Sequence, residues 1–538
     1  MRFRTLLAFA ATTVAAHAAR AQTPPAAWLR GATCYEVFVR SFADADGDGI
    51  GDLRGLEARL DHLNDGDAST TTDLGVRCLW LMPVTPSPSY HGYDPRDHYA
   101  IAREYGDTAD MRRLVRAAHA RGIRVLVDMV LNHVSSDYPP FQAALRDTAS
   151  PYRRWFRFAP TPGPRNRWGG TNWHRSPVRD EWYYGFFWHG MPDLDYASSD
   201  GPMREMQRVA TYWLRDIGVD GFRLDAVKYL VEEGDRLDDT PGTHRVLAEW
   251  QAHVKRVKPD AWSVGEVYDS TAALLPYYPR QLDAYFAFEA SDSILAAVRR
   301  GDGRGMLAPL LRLQDSVPWW RIAPFLRNHD QTRTRTALGG DPAKARLAAA
   351  LLLTLPGVPF VYYGEELGMQ GDKPDERLRT PMPWRTDAPH AGFTTGTPWQ
   401  RLADDSLVAN VGAQTDDASS MLSWVRTLVQ LRAAHPGIAS GRLVPLATSR
   451  PDVASWLVVE GDTAYHVVAN LGADATIGLA TVGSPPGTLR PGPVHESELL
   501  AGIARTGTVI PADGTFRVRD VVPAPHSLRI VRIVPVAR

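Results

Sequence analysis

Gly221-Phe222-Arg223-Leu224-Asp225-Ala226-Val227-Lys228-Tyr229 is the stretch from which the rest of the chain can be ordered. It follows Met206 to Ile217, whose apolar residues fall at helical spacing, with Gly218 between them. This order predicts a helix, a tight turn, and a short buried strand that ends in ionisable groups. Arg223 and Asp225 are two residues apart, so on a strand both side chains point to one side. An arginine beside a carboxylate favours its charged form. An ionised, immobilised aspartate at the mouth of a parallel strand suits a nucleophile, although an ion pair that only fixes the strand would leave the same trace.

Outward from this unit the same rhythm recurs. Strand-length apolar runs at Tyr35 to Val39, Val76 to Met82, Ile123 to Val130, Val219 to Leu224, Trp262 to Gly265, Ala284 to Phe288, Ile322 to Leu326 and Val358 to Tyr362 alternate with helix-patterned intervals. Parallel strands need crossover helices, so the fold class expected is α/β, a (β/α)8 barrel over 22–134 and 201–438. Between the third and fourth strands, 135–200 holds Pro139, Pro140, Pro160, Pro162 and Pro164 and little periodicity, and is expected to be a small inserted domain. Gly371 to Thr415 makes a second excursion after the eighth strand. From 439 to 538 short β runs such as Ser455 to Val459 and Ala464 to Asn470 predict a C-terminal antiparallel β-sandwich domain.

The composition is that of a globular protein with a large core, 44% hydrophobic and 22% charged, and a net charge of -1 gives no electrostatic reason to expect nucleic acid or an anionic membrane as partner. Arg2 and Arg4, the apolar run Leu6 to Ala16 and Ala19-Arg20-Ala21 form the pattern of a secretory signal over 1–21. We therefore expect an exported protein, periplasmic or extracellular, with no other membrane segment. Cys34 and Cys78 lie in the first two predicted strands; two cysteines make no disulfide framework, and two buried thiols are expected.

In a barrel the functional groups collect at the C-terminal ends of the strands. There the sequence places Asp128 to His133, then Asp225, Glu266, and Asn328-His329-Asp330. Asp225, Glu266 and Asp330 with His133 and His329 on one rim suit glycosidic bond cleavage: one carboxylate attacks or stabilises the oxocarbenium-like centre and another protonates the leaving oxygen. Asp225, beside Arg223, is expected to be ionised. Glu266 has no neighbouring cation in sequence and follows an apolar strand, so it is the expected general acid, with Asp330 raising its proton affinity by like-charge repulsion. His133 and His329 can donate hydrogen bonds to sugar hydroxyls.

These segments together resemble the α-amylase family of glycoside hydrolases. The resemblance is carried by Asp128 to His133, Gly221 to Tyr229, Val264 to Tyr268, Phe325 to Asp330, His91-Gly92-Tyr93-Asp94 and Gly357 to Glu366. It implies a retaining double displacement with Asp225 as nucleophile, Glu266 as acid/base and Asp330 as transition-state stabiliser. It further implies that Arg223, His133 and His329 bind the sugar, that Tyr93 stacks on it, and that Lys228 lies on the leaving-group side. Met191 to Asp195 lies between the patterns of α-amylases and of oligo-1,6-glucosidases and neopullulanases, and Arg379 to Trp384 is similar to α-glucosidase and trehalose synthase relatives. The exo-acting relatives carry an aspartate where this chain has Tyr90, which points to an open cleft for α-1,4-glucans and maltooligosaccharides. A glucosyl-transferring relative, or a noncatalytic glycan-binding member of the fold, are the alternatives.

Asp44-Ala45-Asp46-Gly47-Asp48-Gly49-Ile50-Gly51-Asp52 sets carboxylates at positions one, three, five and nine of a loop, with the Ile50 carbonyl at seven, a spacing of hard oxygen ligands that suits Ca²⁺. Position twelve is Gly55, so this is no EF-hand; the loop resembles a calcium loop of α-glucosidase-type relatives and implies a structural ion.

Overall fold

The computed structural model describes residues 26–163, 165–166, 169–278, 280–474, 479–483, 492–510, 516–520 and 523–536; the expected signal over 1–21 lies outside them. Eight parallel strands form one sheet: β1 Cys34–Val37, β2 Cys78–Leu81, β3 Arg124–Val130, β4 Gly221–Asp225, β5 Trp262–Gly265, β6 Ala284–Phe286, β7 Ile322–Ala323 and β8 Phe360–Tyr362. They neighbour one another in chain order, and β1 also pairs with β8. A parallel bridge between Phe325 and Phe360, with Val358 N–H donating to the Ile322 carbonyl at 2.9 Å, brings β7 against β8 and completes the barrel. The interior is filled by side chains from alternate positions, among them Trp80, Leu126, Trp262, Val264, Phe286 and Phe360.

The helix ahead of β4 runs Gly201–Thr211 and continues through a widened last turn, Tyr212–Ile217, in which Gly218 N–H reaches back five residues to the Trp213 carbonyl at 3.0 Å. Gly218 ends it at φ 94°, a conformation that costs glycine little. Gly221 opens β4 because nothing larger fits: a Cβ there would lie 1.8 Å from the Trp262 carbonyl oxygen of the neighbouring strand. β7 and β8 are shorter than their apolar runs, since Pro324 and Pro359 have no N–H to give to a ladder.

Residues 135–200 carry a helix, Pro139–Arg146, and a three-stranded antiparallel sheet ordered Phe158–Ala159, Trp182–Tyr184, Trp173–Arg175. This insertion returns to the rim through the antiparallel bridge His133 to Asp193 and the bond from Leu194 N–H to the Asn132 carbonyl at 2.9 Å. After the helix Met421–Ala434 the chain forms a six-stranded antiparallel sheet, with a two-stranded sheet beside it in sequence, and Trp456 is core.

One expectation is overturned. Cys34 and Cys78 are joined in a disulfide and are not two thiols. They are register partners on adjacent strands with Cα atoms 4.3 Å apart, a relationship set by barrel register that the cysteine count does not contain.

Candidate active site

Arg223 is the centre of the rim. It is fully buried, with its guanidinium 4.9 Å from the Trp80 ring centroid. Nη1 donates to both oxygens of Asp128 at 2.9 Å, to Asp225 Oδ1 at 2.9 Å and to the Tyr93 hydroxyl at 3.1 Å, and Nη2 donates to Glu266 Oε2 at 2.6 Å. One planar fork thus holds carboxylates from β3, β4 and the end of β5 in one place. Ala226, directly after Asp225, takes a left-handed conformation at φ 47°, and its N–H donates to Glu266 Oε2 at 3.2 Å. The turn after the proposed nucleophile therefore helps to hold the second carboxyl.

In sequence Arg223 neighbours Asp225; in the structure its guanidinium is shared with Asp128 and Glu266. Burial pushes the Asp225 carboxyl up to about 6, against the pull of Arg223, with Asp128 and Asp330 adding to the rise. Glu266 does have a cation beside it, yet burial raises it to about 7, assisted by the charges of Asp225 and Asp330. The guanidinium is divided among three carboxylates, so none of them receives its full stabilisation. Glu266 still lies above Asp225, the order that an acid and a nucleophile need.

Asp330 is the partly exposed member. Burial opposes its ionisation, but His329 Nε2 at 3.2 Å and Arg379 Nη2 at 2.7 Å hold it well below the usual carboxylate range. His329 is raised to about 9 by Asp330 and by Glu36, whose Oε1 lies 2.5 Å from Nδ1, and these overcome burial. His329 is therefore a cation at neutral pH.

Several expected ligands are already engaged. The Tyr93 ring is stacked on His329 at 5.4 Å and on His91 at 6.0 Å, and its hydroxyl donates to Asp128 Oδ2 at 3.0 Å. His133 is kept neutral by burial, lowered to about 4, and its Nε2 lies 2.9 Å from the Tyr93 carbonyl. Lys228 gives its ammonium to Asp269 at 2.7 Å, with Asp238 and Asp239 at 3.6 and 3.8 Å. These residues set the shape of the site through their neighbours. Sequence reasoning passed over Asp128, Trp80, Glu36 and Arg379 as site residues. Glu36 had a signal, as the one charge inside the apolar first strand; Arg379 had little, because it arrives from a loop 49 residues after Asp330.

In the acidic loop, ligand-capable oxygens of Asp44, Asp46 and Asp48 lie within 4.8 Å of one another. Asp48 is raised by burial and by the charges of Asp46, Asp44 and Asp52, a repulsion that a cation would relieve. Asp52 lies outside this group of three; it accepts from Ala45 N–H and Gly55 N–H, both at 2.8 Å, and caps the helix Leu53–Ala58. Ile50 N–H donates to Asp48 Oδ1 at 2.8 Å in the same turn.

A barrel with paired carboxylates at its C-terminal rim is the arrangement of a glycoside hydrolase. The family model described as the α-amylase catalytic domain matches residues 36–441. The chain is 36% identical to an α-amylase from Dictyoglomus thermophilum over 453 residues, 82% of this chain and 85% of that one. It is 34% identical to a trehalose synthase/amylase from Mycolicibacterium smegmatis, over 80% of each. The crystal structure of an α-amylase from H. orenii superposes with a TM-score of 0.79 at 34% identity, covering 94% of this chain and all of that one. The chain belongs to the α-amylase family of glycoside hydrolases, enzymes that act on α-glucans by hydrolysis or glucosyl transfer.

Proposed function

We propose that this enzyme is an exported, retaining glycosidase that cleaves α-1,4-glucosidic bonds of starch-type glucans and maltooligosaccharides. The observation that carries the reading is the fork of Arg223, which ties Asp225 and Glu266 to one guanidinium and so holds both carboxyls together on the rim. Asp225 attacks the anomeric carbon while Glu266 gives its proton to the departing glycosidic oxygen, leaving a glycosyl ester on Asp225. Glu266 then removes a proton from water, whose oxygen displaces Asp225 with net retention. Asp330, kept anionic by His329 and Arg379, faces the positive charge that develops on the ring in both steps. The buried disulfide supports an oxidising compartment.

Tyr90 supports an open cleft. Its hydroxyl accepts from Arg379 Nη1 at 3.2 Å and its ring stacks on Trp399 at 5.4 Å, so a neutral, fixed aromatic stands where the exo-acting relatives carry an aspartate. The test is the product ladder from end-labelled maltoheptaose: several intermediate sizes in the first minutes, with the α-anomer as initial product by NMR. Glucose alone from the start, or the β-anomer, overturns it. The likeness to a trehalose synthase/amylase favours a second reading, in which a sugar hydroxyl takes the glycosyl group; rearranged products without new reducing ends would establish it.

We further propose that Ca²⁺ is held by Asp44, Asp46 and Asp48 with the carbonyl of Ile50, Asp52 supporting the loop from its capping position. The ion's role there is structural: it offsets the repulsion of the acidic loop, away from the catalytic carboxylates.

A further inference from the structure

β1 buries a carboxylate that no step of the proposed reaction uses. Glu36 stands opposite Trp80 of β2 and Tyr362 of β8, is 2% exposed, and brings Oε1 to 2.5 Å from His329 Nδ1. The His329 ring is closely held: Tyr93 stacks on it at 5.4 Å, Trp80 packs at 76° to it, and Arg379 Nε donates to its backbone carbonyl at 3.0 Å. Both ring nitrogens face acceptors. Nδ1 meets the Glu36 carboxylate, and Nε2 lies 3.2 Å from Asp330 Oδ2 and 2.8 Å from the Tyr93 hydroxyl. That hydroxyl gives its own proton to Asp128 Oδ2 and receives one from Arg223 Nη1, so toward the ring it can only accept. The bonding pattern therefore calls for a proton on each nitrogen, the imidazolium form.

The surrounding charges agree. The acids acting on the ring are Glu36, Asp330, Asp128, Asp225 and Glu266, opposed by Arg223 and Arg379. Burial raises Tyr93 and Tyr362 and lowers His91, so these three add no charge. Burial also works against the His329 cation, and Asp330 and Glu36 overcome it. Of these acids Glu36 is the one bonded to Nδ1.

We propose that Glu36 is a positioning residue for the reaction: by accepting from His329 Nδ1 it keeps a proton on Nε2, directed at Asp330, and so holds that carboxylate anionic and in place. Glu36 acts through His329 and touches neither substrate nor reacting atoms. Its part in catalysis rests on the retaining-glycosidase reading; the bonding rests on geometry alone. With glutamine at position 36 the amide oxygen still accepts from Nδ1, but the charge that favours the second proton is gone. The neutral ring then turns a lone pair at Nε2 toward Asp330.

Nitrogen-15 NMR of the histidine-labelled full chain, with His329→Gln to assign the ring, reads its protonation without substrate. In the parent, His329 should carry both protons at about pH 8. In Glu36→Gln its titration midpoint should fall by about one pH unit or more, as loss of a neighbouring charge requires. The ratio of kcat on maltoheptaose, Glu36→Gln over parent, should drop about tenfold as pH rises through that midpoint, with KM little changed, in line with one charge-assisted hydrogen bond. A neutral His329 in the parent, an unmoved midpoint in Glu36→Gln, or a loss of kcat that is equal at every pH overturns the proposal. If Glu36→Gln does not fold, the parent spectrum decides alone. The glycosidase reading fails separately, if parent protein forms neither new reducing ends nor transfer products from maltoheptaose, whatever the protonation of the ring.

Discussion

Arg223 Nη2 donates to Glu266 Oε2 at 2.6 Å, so the carboxyl proposed as general acid is bonded to the cation that also steadies the nucleophile. Such an arrangement works only where burial outweighs the guanidinium, and here it does: Glu266 stands at about 7 and Asp225 at about 6. The productive form has Asp225 ionised and Glu266 protonated. Activity is therefore expected to fall below about pH 6, as Asp225 takes up a proton, and above about pH 7, as Glu266 loses one. The pH profile of kcat/KM on maltoheptaose should be a narrow bell between these limits; a plateau extending beyond pH 9 would exclude Glu266 as the acid.

Asp330 contributes to that profile from a distance. Its charge raises both Glu266 and Asp225, so Asp330→Asn should move both limbs of the residual activity toward lower pH as well as reducing kcat. Loss of rate with an unmoved profile would mean that Asp330 acts on the substrate alone.

Replacement of either central carboxyl separates chemistry from folding. Asp225→Asn should remove detectable turnover, while its side-chain oxygen still accepts from Arg223. Because ionised Asp225 is disfavoured by burial, its removal should leave the melting temperature unchanged or raise it. Glu266→Gln should lower kcat by about 10²–10⁴, the usual range for a general acid, with much less loss on aryl glycosides whose leaving group needs no proton. Equal losses on both substrates would count against the acid assignment.

The sequence showed the barrel wherever apolar runs had unambiguous ends: β5 begins and closes where Trp262 and Gly265 predict. It overstated β7 and β8 at Pro324 and Pro359, where hydrogen-bonding capacity decides over hydrophobicity. Asp225 and Glu266 were legible because one ends a strand and the other directly follows one, and Asp330 because it closes the segment after the seventh apolar run. Their proton affinities were not, since adjacency in sequence says nothing of how many groups share one guanidinium. The same limit explains Lys228, whose three carboxylate partners come from two later segments, and Asp52, whose spacing fits a metal loop while its oxygens cap a helix.

The acidic loop predicts a dependence on calcium. If the ion binds the folded loop alone, a free concentration one hundred times Kd adds ~2.7 kcal/mol to stability. The melting temperature should therefore rise on adding Ca²⁺ to chelator-treated protein, and Asp48→Asn should reduce that rise. An identical midpoint with chelator and with excess calcium would leave the loop as a solvated acidic turn.

The disulfide gives the last expectation, and it concerns β1 and β2 directly. Cys34 and Cys78 close a loop spanning 44 residues, which contains the first helices and the whole acidic segment. On the chain-entropy account such a closure stabilises by about 4 kcal/mol through restriction of the unfolded chain. Protein made under oxidising conditions should show no free thiol after denaturation and two after reduction. Cys34→Ala with Cys78→Ala should lower the denaturant midpoint while leaving kcat/KM near that of the parent, because both cysteines sit at the start of their strands and the rim is at the other end. Two titratable thiols in oxidised, unfolded protein would show that the pair is not bonded. A fall in kcat/KM larger than the fall in folded fraction would mean that the pairing of β1 with β2 sets the position of Glu36, and through His329 that of Asp330.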